Sequence, residues 1–230
     1  MILINLAQGI PSSSPYLVGI SALTGVIITL LFNAWESKRR RKNELEDASI
    51  KRRNEFEDAK RIQDSDLCFI STQLIFILEE FAQRCADVAG DPGELENREG
   101  EQPRYVPLHD FPTLSFNGIE GNWKSLPPLL MFMTLEIPTI LRDVHQQIVQ
   151  ETEHLFPGTD DHNYLRIRSG NITPVGLRAA AVARRLRRKC GFFDSPLSSD
   201  HWSAVGVMQR ARKLAVRTKI KNNQEIISIE

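Results

Sequence analysis

The sequence predicts an all-α protein, in which an N-terminal transmembrane helix continues as a long stalk helix into a bundle of roughly four helices. Residues 16–35 form a run of twenty residues without a charged side chain. Apolar residues then recur at three- and four-residue spacing along residues 56–88, which is the period of an amphipathic helix. The alternation typical of strands is confined to the closing IISIE, which is too short to indicate a sheet.

The run from Tyr16 to Trp35 has the length and the aromatic ends of a membrane anchor. Twenty helical residues span about 30 Å, which matches the hydrocarbon core of a bilayer. Gly19 and Gly25 add small residues of the kind that permit a second helix to approach closely. A cleaved signal peptide is disfavoured, because MILINLAQGI lacks the basic residue with which such peptides begin.

A basic cluster directly after the anchor sets the expected orientation. The positive-inside rule places these residues at the cytoplasmic face, where they would contact the inner leaflet, and residues 1–15 outside as a short tail. The sequence therefore predicts a single-pass protein of a cell (inner) membrane, with a cytoplasmic C-terminal part and the lipid bilayer as a partner. The cluster comprises Lys38, Arg39, Arg40, Arg41 and Lys42.

Residues 36–63 are predicted as a charged helical stalk. They contain no Gly or Pro, and their apolar residues are too sparse to establish a coiled coil by themselves. The helix should continue to about Ala89, where Gly90-Asp91-Pro92-Gly93 ends it. Additional apolar residues in its second half predict packing on more than one side. These are Phe69, Ile75, Phe76 and Leu78.

The helical domain is expected over residues 64–222, with a long loop at 90–122 and a flexible tail at 223–230. A second helix should open at Pro127-Pro128, bend near Pro138 and end near Leu155. A third should begin at Thr173-Pro174, with a hydroxyl cap and a proline at the first position, and end at Gly191. A fourth should end near Asn222.

The net charge of zero conceals a strong segregation of charge. Residues 64–161 carry five Lys/Arg against eighteen Asp/Glu, whereas residues 162–230 carry fourteen against four. Either the basic helices face the acidic segment, or helices 174–190 and 203–221 bind a partner, nucleic acid or anionic lipid. The candidate anion or partner contacts are Arg178, Arg184, Arg185, Arg187 and Arg188.

Several short segments over about residues 120–192 are shared with other proteins. They are Asn122-Trp123-Lys124-Ser125-Leu126-Pro127, the helix that contains Gly176-Leu177-Arg178-Ala179-Ala180-Ala181, the triplet Arg185-Leu186-Arg187, and Gly191. In these segments the chain resembles a group of uncharacterised bacterial and phage membrane proteins. The resemblance implies an N-terminal membrane helix, a helical cytoplasmic region and a bacterial inner membrane. It implies no activity that could be assigned to a residue.

Histidines and acids cluster along residues 145–162 and offer a candidate hydrolase or metal site. No HExxH sequence and no CxxC pair accompany them, so a solvated helix end explains them better. The cluster comprises His145, Glu151, Glu153, His154, Asp160, Asp161 and His162.

The cysteines are predicted to be structural thiols in a reducing compartment. Cys68 and Cys85 lie seventeen positions apart on one predicted helix, which is about 25 Å and beyond disulfide reach. Cys190 completes an odd count without the spacing of a disulfide framework. We expect no cofactor and no catalytic residue.

The function that the sequence favours is a membrane-anchored interaction or scaffold protein, which binds a protein partner or itself. Binding of nucleic acid or anionic lipid by the basic helices is the first alternative. A hydrolase with a site around residues 145–162 is the second.

Overall fold

The computed structural model describes residues 15–97, 103–155, 160–198 and 200–227. Four helices dominate this part of the chain, which confirms the all-α class. They are α1 (Pro15–Ala89), α2 (Pro128–Thr152), α3 (Asp161–Lys189) and α4 (Ala204–Ile227). Short 3-10 turns at Trp123–Ser125 and Pro196–Ser198 precede α2 and α4.

The expected membrane anchor is not supported. Across the residues that the structure describes, no helix is both long enough and apolar enough to cross a bilayer. Side chains of the expected span are described only over residues 30–35, about 9 Å of helix against a bilayer core of about 30 Å. The basic residues that begin at Lys38 follow at once. The prediction of a single-pass inner-membrane protein is therefore wrong. The side chains of Tyr16, Gly19 and Gly25 lie outside the described residues.

Chain contacts divide the protein into two compact units, residues 1–60 and residues 61–230. In the first unit, α1 is largely exposed over residues 30–60 and carries ion pairs between residues four apart, such as Arg40–Glu36 at 2.7 Å and Arg53–Glu57 at 3.0 Å. Exposed pairs of this kind stabilise a helix by about 0.3–0.5 kcal/mol each.

The basic cluster assigned to the inner leaflet makes contacts within α1 instead. The Arg39 guanidinium lies 5.5 Å from the ring centroid of Trp35, which is itself largely exposed. Lys42 approaches Glu46 at 3.8 Å, and all five basic residues of the cluster are exposed. The predicted contact with lipid has no support from these positions.

In the second unit, the core lies between the C-terminal part of α1 and the inner faces of α2, α3 and α4. Its fully buried side chains come from each helix, because each presents an apolar stripe at helical spacing. They include Ile70, Leu74 and Leu78 of α1, Ile137 of α2, Ile172, Val182 and Leu186 of α3, and Met208 of α4.

Two helix boundaries differ from those that the sequence predicted. The third helix begins at Asp161, so Thr173 and Pro174 lie inside it. The Thr173 hydroxyl does not cap a helix end but donates to the Ser169 carbonyl, 2.7 Å away. Both Thr173 and its neighbour Ile172 are fully buried. The free energy gained by burying them offsets the cost of about 3 kcal/mol that a proline imposes inside a helix. The fourth helix runs to Ile227, into the segment predicted as a tail.

The predicted loop 90–122 contains a short antiparallel hairpin, which the sequence analysis missed. Strand β1 (Glu94–Glu96) pairs with β2 (Arg104–Val106), so that Leu95 lies opposite Tyr105. Three-residue strands are too short to show alternation in sequence.

Asp91 connects the loop 90–122 to α3 through hydrogen bonds and an ion pair. Its carboxylate accepts hydrogen bonds from the backbone N–H groups of Gly93 at 2.8 Å and of Leu108 and His109 at 3.0 Å. Arg168 of α3 lies 3.9 Å from the same carboxylate and donates to the His109 carbonyl at 2.8 Å. The Asp91 and Arg168 side chains are 2% and 6% exposed, so the charges of the pair are withdrawn from water.

Close contact between α1, α3 and α4 depends on Gly176. A Cβ at this position would lie 2.5 Å from the Cys85 Cβ and 2.5 Å from the Met208 Sδ. Because the Cys85 Cβ is fixed by its own backbone, a larger residue at 176 would have to separate the helices. Gly170, on the same helix, has only the Ala215 Cβ near it, at 3.9 Å.

Substitution of each of these two glycines by alanine should therefore change the free energy of unfolding in opposite directions. We expect Gly176→Ala to lower the free energy of unfolding by about 2 kcal/mol through overpacking. Gly170→Ala should raise it by about 0.5–1 kcal/mol, because alanine favours the helix. Denaturant titration followed by circular dichroism measures both, and equal effects would contradict the close approach at Gly176.

The Asp91 carboxylate should make stability depend on pH. Burial raises its pKa, but the backbone donors of Gly93, His109 and Leu108 outweigh burial and hold the pKa below its usual value. A depressed carboxyl pKa gives stability that is present above the unfolded pKa of about 4 and is lost as the pH falls through the folded pKa.

We therefore expect Asp91→Asn to lower the melting temperature at pH 7, since it leaves Arg168 with an unmatched buried charge. The difference from the natural chain should stay constant above about pH 5 and shrink below about pH 4. Thermal melts between pH 3 and pH 8 measure it. A difference independent of pH would show that the charge of Asp91 does not stabilise the fold.

Candidate interaction surface

Two arginines on the basic face of α3 pair with acidic residues of the same protein. Arg187 donates to Glu79 of α1 through two N–H groups, at 2.6 and 2.8 Å, and both side chains are mostly buried. Arg178 donates to Glu136 of α2. With Arg168–Asp91, these pairs join the basic segment to the acidic one. The structure thus favours internal neutralisation for part of the segregated charge.

The other candidate contacts of α3 differ in exposure. Arg184 is half-buried, while Arg185 and Arg188 are exposed. The Arg185 Nη1 lies 3.0 Å from the Met133 Sδ on α2. On α4, Arg210 lies 5.3 Å from the ring centroid of Trp202 and donates to the His201 carbonyl. Binding of an anion or a partner by Arg184, Arg185 and Arg188 stays a prediction.

Two of the three histidines of residues 145–162 take part in aromatic packing. His145 lies 5.2 Å from the Phe111 ring, and His162 lies 4.4 Å from the Tyr105 ring, between centroids. The Asp161 carboxylate accepts a hydrogen bond from the Tyr105 N–H at 2.7 Å. Within the described ranges, no group of three or more His, Cys, Asp or Glu residues is placed to hold a metal ion. The contacts of this segment support a structural role for it.

The three cysteines are free thiols in the structure. Cys85 is buried in the core, and burial raises its pKa. Cys68 and Cys190 are half-buried and interact with each other. Burial, followed by its hydrogen bond with Cys190, raises the pKa of Cys68 to about 11. Cys68 and Cys85 are therefore protonated at neutral pH, which disfavours nucleophilic chemistry at either.

An apolar groove lies between α1 and the segment that follows α3. Its volume is about 350 Å³. The residues that line it are Thr72, Ile75, Phe76, Arg187, Gly191, Phe192 and Phe193. Phe69 lies seven residues before Phe76 and three before Thr72, so it continues the same face of α1. We call Phe69, Thr72, Phe76, Phe192 and Phe193 the Phe face.

The aromatic side chains of the Phe face are unusually exposed. Phe193 is 94% exposed, Phe76 65%, Phe69 56% and Phe192 40%. Because a phenylalanine buries about 150–250 Å² when covered, these rings present roughly 500 Å² of apolar surface. Patches of about 300–600 Å² on monomeric proteins are often functional. The Phe face is therefore the strongest candidate site of the second unit.

A helix-terminating motif fixes the backbone on one side of the groove. Gly191 has φ = +70°, which favours glycine, and its N–H donates to the Arg188 carbonyl at 3.3 Å. The Phe192 N–H donates to the Arg187 carbonyl at 2.9 Å, which completes a Schellman motif. The sequence prediction that Gly191 ends the helix is confirmed.

Arg187 connects this motif to α1. While two of its N–H groups bind Glu79, its Nη1 donates to the Phe193 carbonyl at 3.1 Å. The hydrogen bond with Glu79 raises the pKa of Arg187 above its usual high value, against the smaller opposing effect of burial. Arg187 thus connects the backbone at Phe193 to α1, the helix that forms the other wall of the groove.

Sequence reasoning missed this site and misassigned two of its residues. Phe69 and Phe76 were expected to pack inside the protein together with Ile75 and Leu78. Ile75 and Leu78 are buried, but Phe69 and Phe76 face outwards. Their spacing of seven residues was the available signal, and the exposed phenylalanine at position 193 could be located only from the fold.

Comparisons of the chain with protein family models, with curated proteins and with solved structures gave no match. The site is therefore interpreted from its own geometry.

The ion pair beneath the groove should contribute measurably to stability. Glu79→Gln leaves the Arg187 charge buried without its partner, and we expect a loss of about 3 kcal/mol in the free energy of unfolding. The matched control is Glu80→Gln, since Glu80 makes an exposed pair with Arg84 and should matter by less than about 0.5 kcal/mol. Denaturant titration distinguishes the two. Equal losses would contradict the special role of Glu79.

Proposed function

We propose that the chain is a helical protein-interaction module, and that the Phe face is the surface through which it binds a protein. The observation that carries the proposal is the exposure of three phenylalanines around one apolar groove, with the exposed Phe69 farther along the same face of α1. Buried aromatic anchors supply most of the binding energy at protein interfaces, whereas bulk area supplies little. Phe193, the most exposed of them, has the geometry of such an anchor.

The fixed backbone at Phe193 supports the proposal. The backbone at Phe193 is held by the Schellman motif at Gly191 and by the hydrogen bond from Arg187. An anchor that is ordered before binding loses less conformational entropy when the partner arrives. The charge beside the groove also suits a protein partner, because the cation of Arg187 is matched by Glu79 and adds no unpaired charge to the interface.

The alternative functions have weaker support. The ion pairs of Arg178 and Arg187 engage two of the five arginines that nucleic acid could otherwise use. A hydrolase site around residues 145–162 would need its histidines and acids to converge, whereas His145 and His162 pack on different aromatic rings.

Photo-crosslinking of the full chain in the cells that express it tests the proposal. With p-benzoylphenylalanine in place of Phe193, irradiation should give protein adducts of discrete mass. Adding Phe76→Ser should abolish them, because it removes the wall of the groove. The matched control places the same probe at Phe132, a 60% exposed phenylalanine of α2.

Adducts that form equally from position 132, or that persist with Phe76→Ser, would show that the Phe face does not select a partner. Irradiation without any adduct from position 193 would contradict the proposed function directly.

A further inference from the structure

We propose that the protein bound by the Phe face is a second copy of this chain, in a two-fold dimer where the Phe193 ring of each copy enters the groove of the other. The inference rests on the proposed function, since it names the partner of the same surface. Three features of the described residues lead to a second copy: the shape of the surface, its charge and its area.

The Phe face has the self-complementary shape that a two-fold interface needs. In such an interface the same patch on both copies meets, so a projection and its receptor must lie in one patch. Phe193 projects at 94% exposure, and it also lines the groove with Phe76, Ile75 and Thr72. A groove of about 350 Å³ is larger than one phenylalanine ring. The patch thus contains both the projecting ring and a groove large enough to receive it.

The charge distribution removes the main obstacle to pairing identical surfaces. A two-fold axis brings like residues near one another, so an unmatched charge in the patch would repel its own copy. Arg187 is the one charged residue among the described groove lining, and Glu79 binds it through two hydrogen bonds. Because this pair is 12–16% exposed, it is already largely desolvated before a partner arrives.

The available area is of the right order for a dimer. Interfaces of standard size bury about 800 Å² on each partner, and their centres are apolar while their rims are polar. The exposed phenylalanines supply roughly 500 Å² of such a centre.

Sedimentation velocity of the purified full chain, over a dilution series, tests the inference. We expect the natural chain to sediment as a dimer that dissociates on dilution. Phe193→Ser and Phe76→Ser should each weaken the dimer by about 30-fold or more, as the loss of an interface hot spot does. Circular dichroism verifies the fold of each variant, and Phe193→Ser removes a ring that has few contacts within its own copy.

The matched control is Phe132→Ser, which removes a comparably exposed ring from α2 and should leave the dimer unchanged. To identify the contact, ¹⁵N-labelled chain is mixed with unlabelled chain that carries Phe193→p-benzoylphenylalanine. Irradiation should link the unlabelled position 193 to the labelled peptide that contains residues 72–76.

Three outcomes would overturn the inference. They are a monomer throughout the series, a dimer unaffected by Phe193→Ser, and a dimer dissociated by Phe132→Ser. If the purified chain is monomeric while position 193 still gives groove-dependent adducts with a different protein in cells, the second copy is wrong and the proposed function stands. If neither dimer nor adducts form, both are wrong.

Discussion

The bond between Glu79 and Arg187 joins parts of the second unit that lie far apart in sequence. The two residues are 108 positions apart, and each guanidinium N–H that binds the carboxylate restricts α3 relative to α1. The same arginine also holds the Phe193 carbonyl, so the segment after α3 takes its place from this pair. Because the pair is buried, the loss of either partner would leave the other charge away from water without a counter-charge, which destabilises a protein strongly.

Two other features work with this pair to position the helices. The Asp91 carboxylate accepts from backbone N–H groups of the loop after α1, and Arg168 of α3 donates to the His109 carbonyl, so the two residues fix this loop onto α3. Gly176 allows α3 to lie directly against Cys85 and Met208. The polar contacts therefore set the register between helices, and the absence of a side chain at one position sets their distance.

The sequence determined much of the helical pattern because periodicity and end signals are local properties. The end of α1 at Ala89, before Gly90, and the end of α3 before Gly191 follow directly from the glycines. Local signals failed at Thr173-Pro174, where a good helix start lies inside a longer helix. Burial of Ile172 and its neighbours in the tertiary structure outweighs the preference of those two residues.

The candidate site was harder to predict because it depends on which apolar positions lack a partner within the chain. The periodicity predicts burial for both Phe76 and Ile75, although Phe76 is exposed and Ile75 is buried. Only the path of the segment after α3 separates them. Charge had the same limitation, since nothing in the composition indicates that Arg187 would find its carboxylate on α1. The expected anchor was wrong as well: length, aromatic ends and flanking basic residues indicated a bilayer span, whereas no described helix is both long enough and apolar enough to cross a membrane.

At Gly191, on the edge of the groove, the backbone conformation and not the available space determines which residue fits. A Cβ placed there would meet no atom within 4 Å, so space is available for a side chain. An L-residue other than glycine is strained at the observed φ of +70°, whereas a D-residue adopts that value without strain. The path of the backbone towards Phe193 thus depends on the stereochemistry at one position.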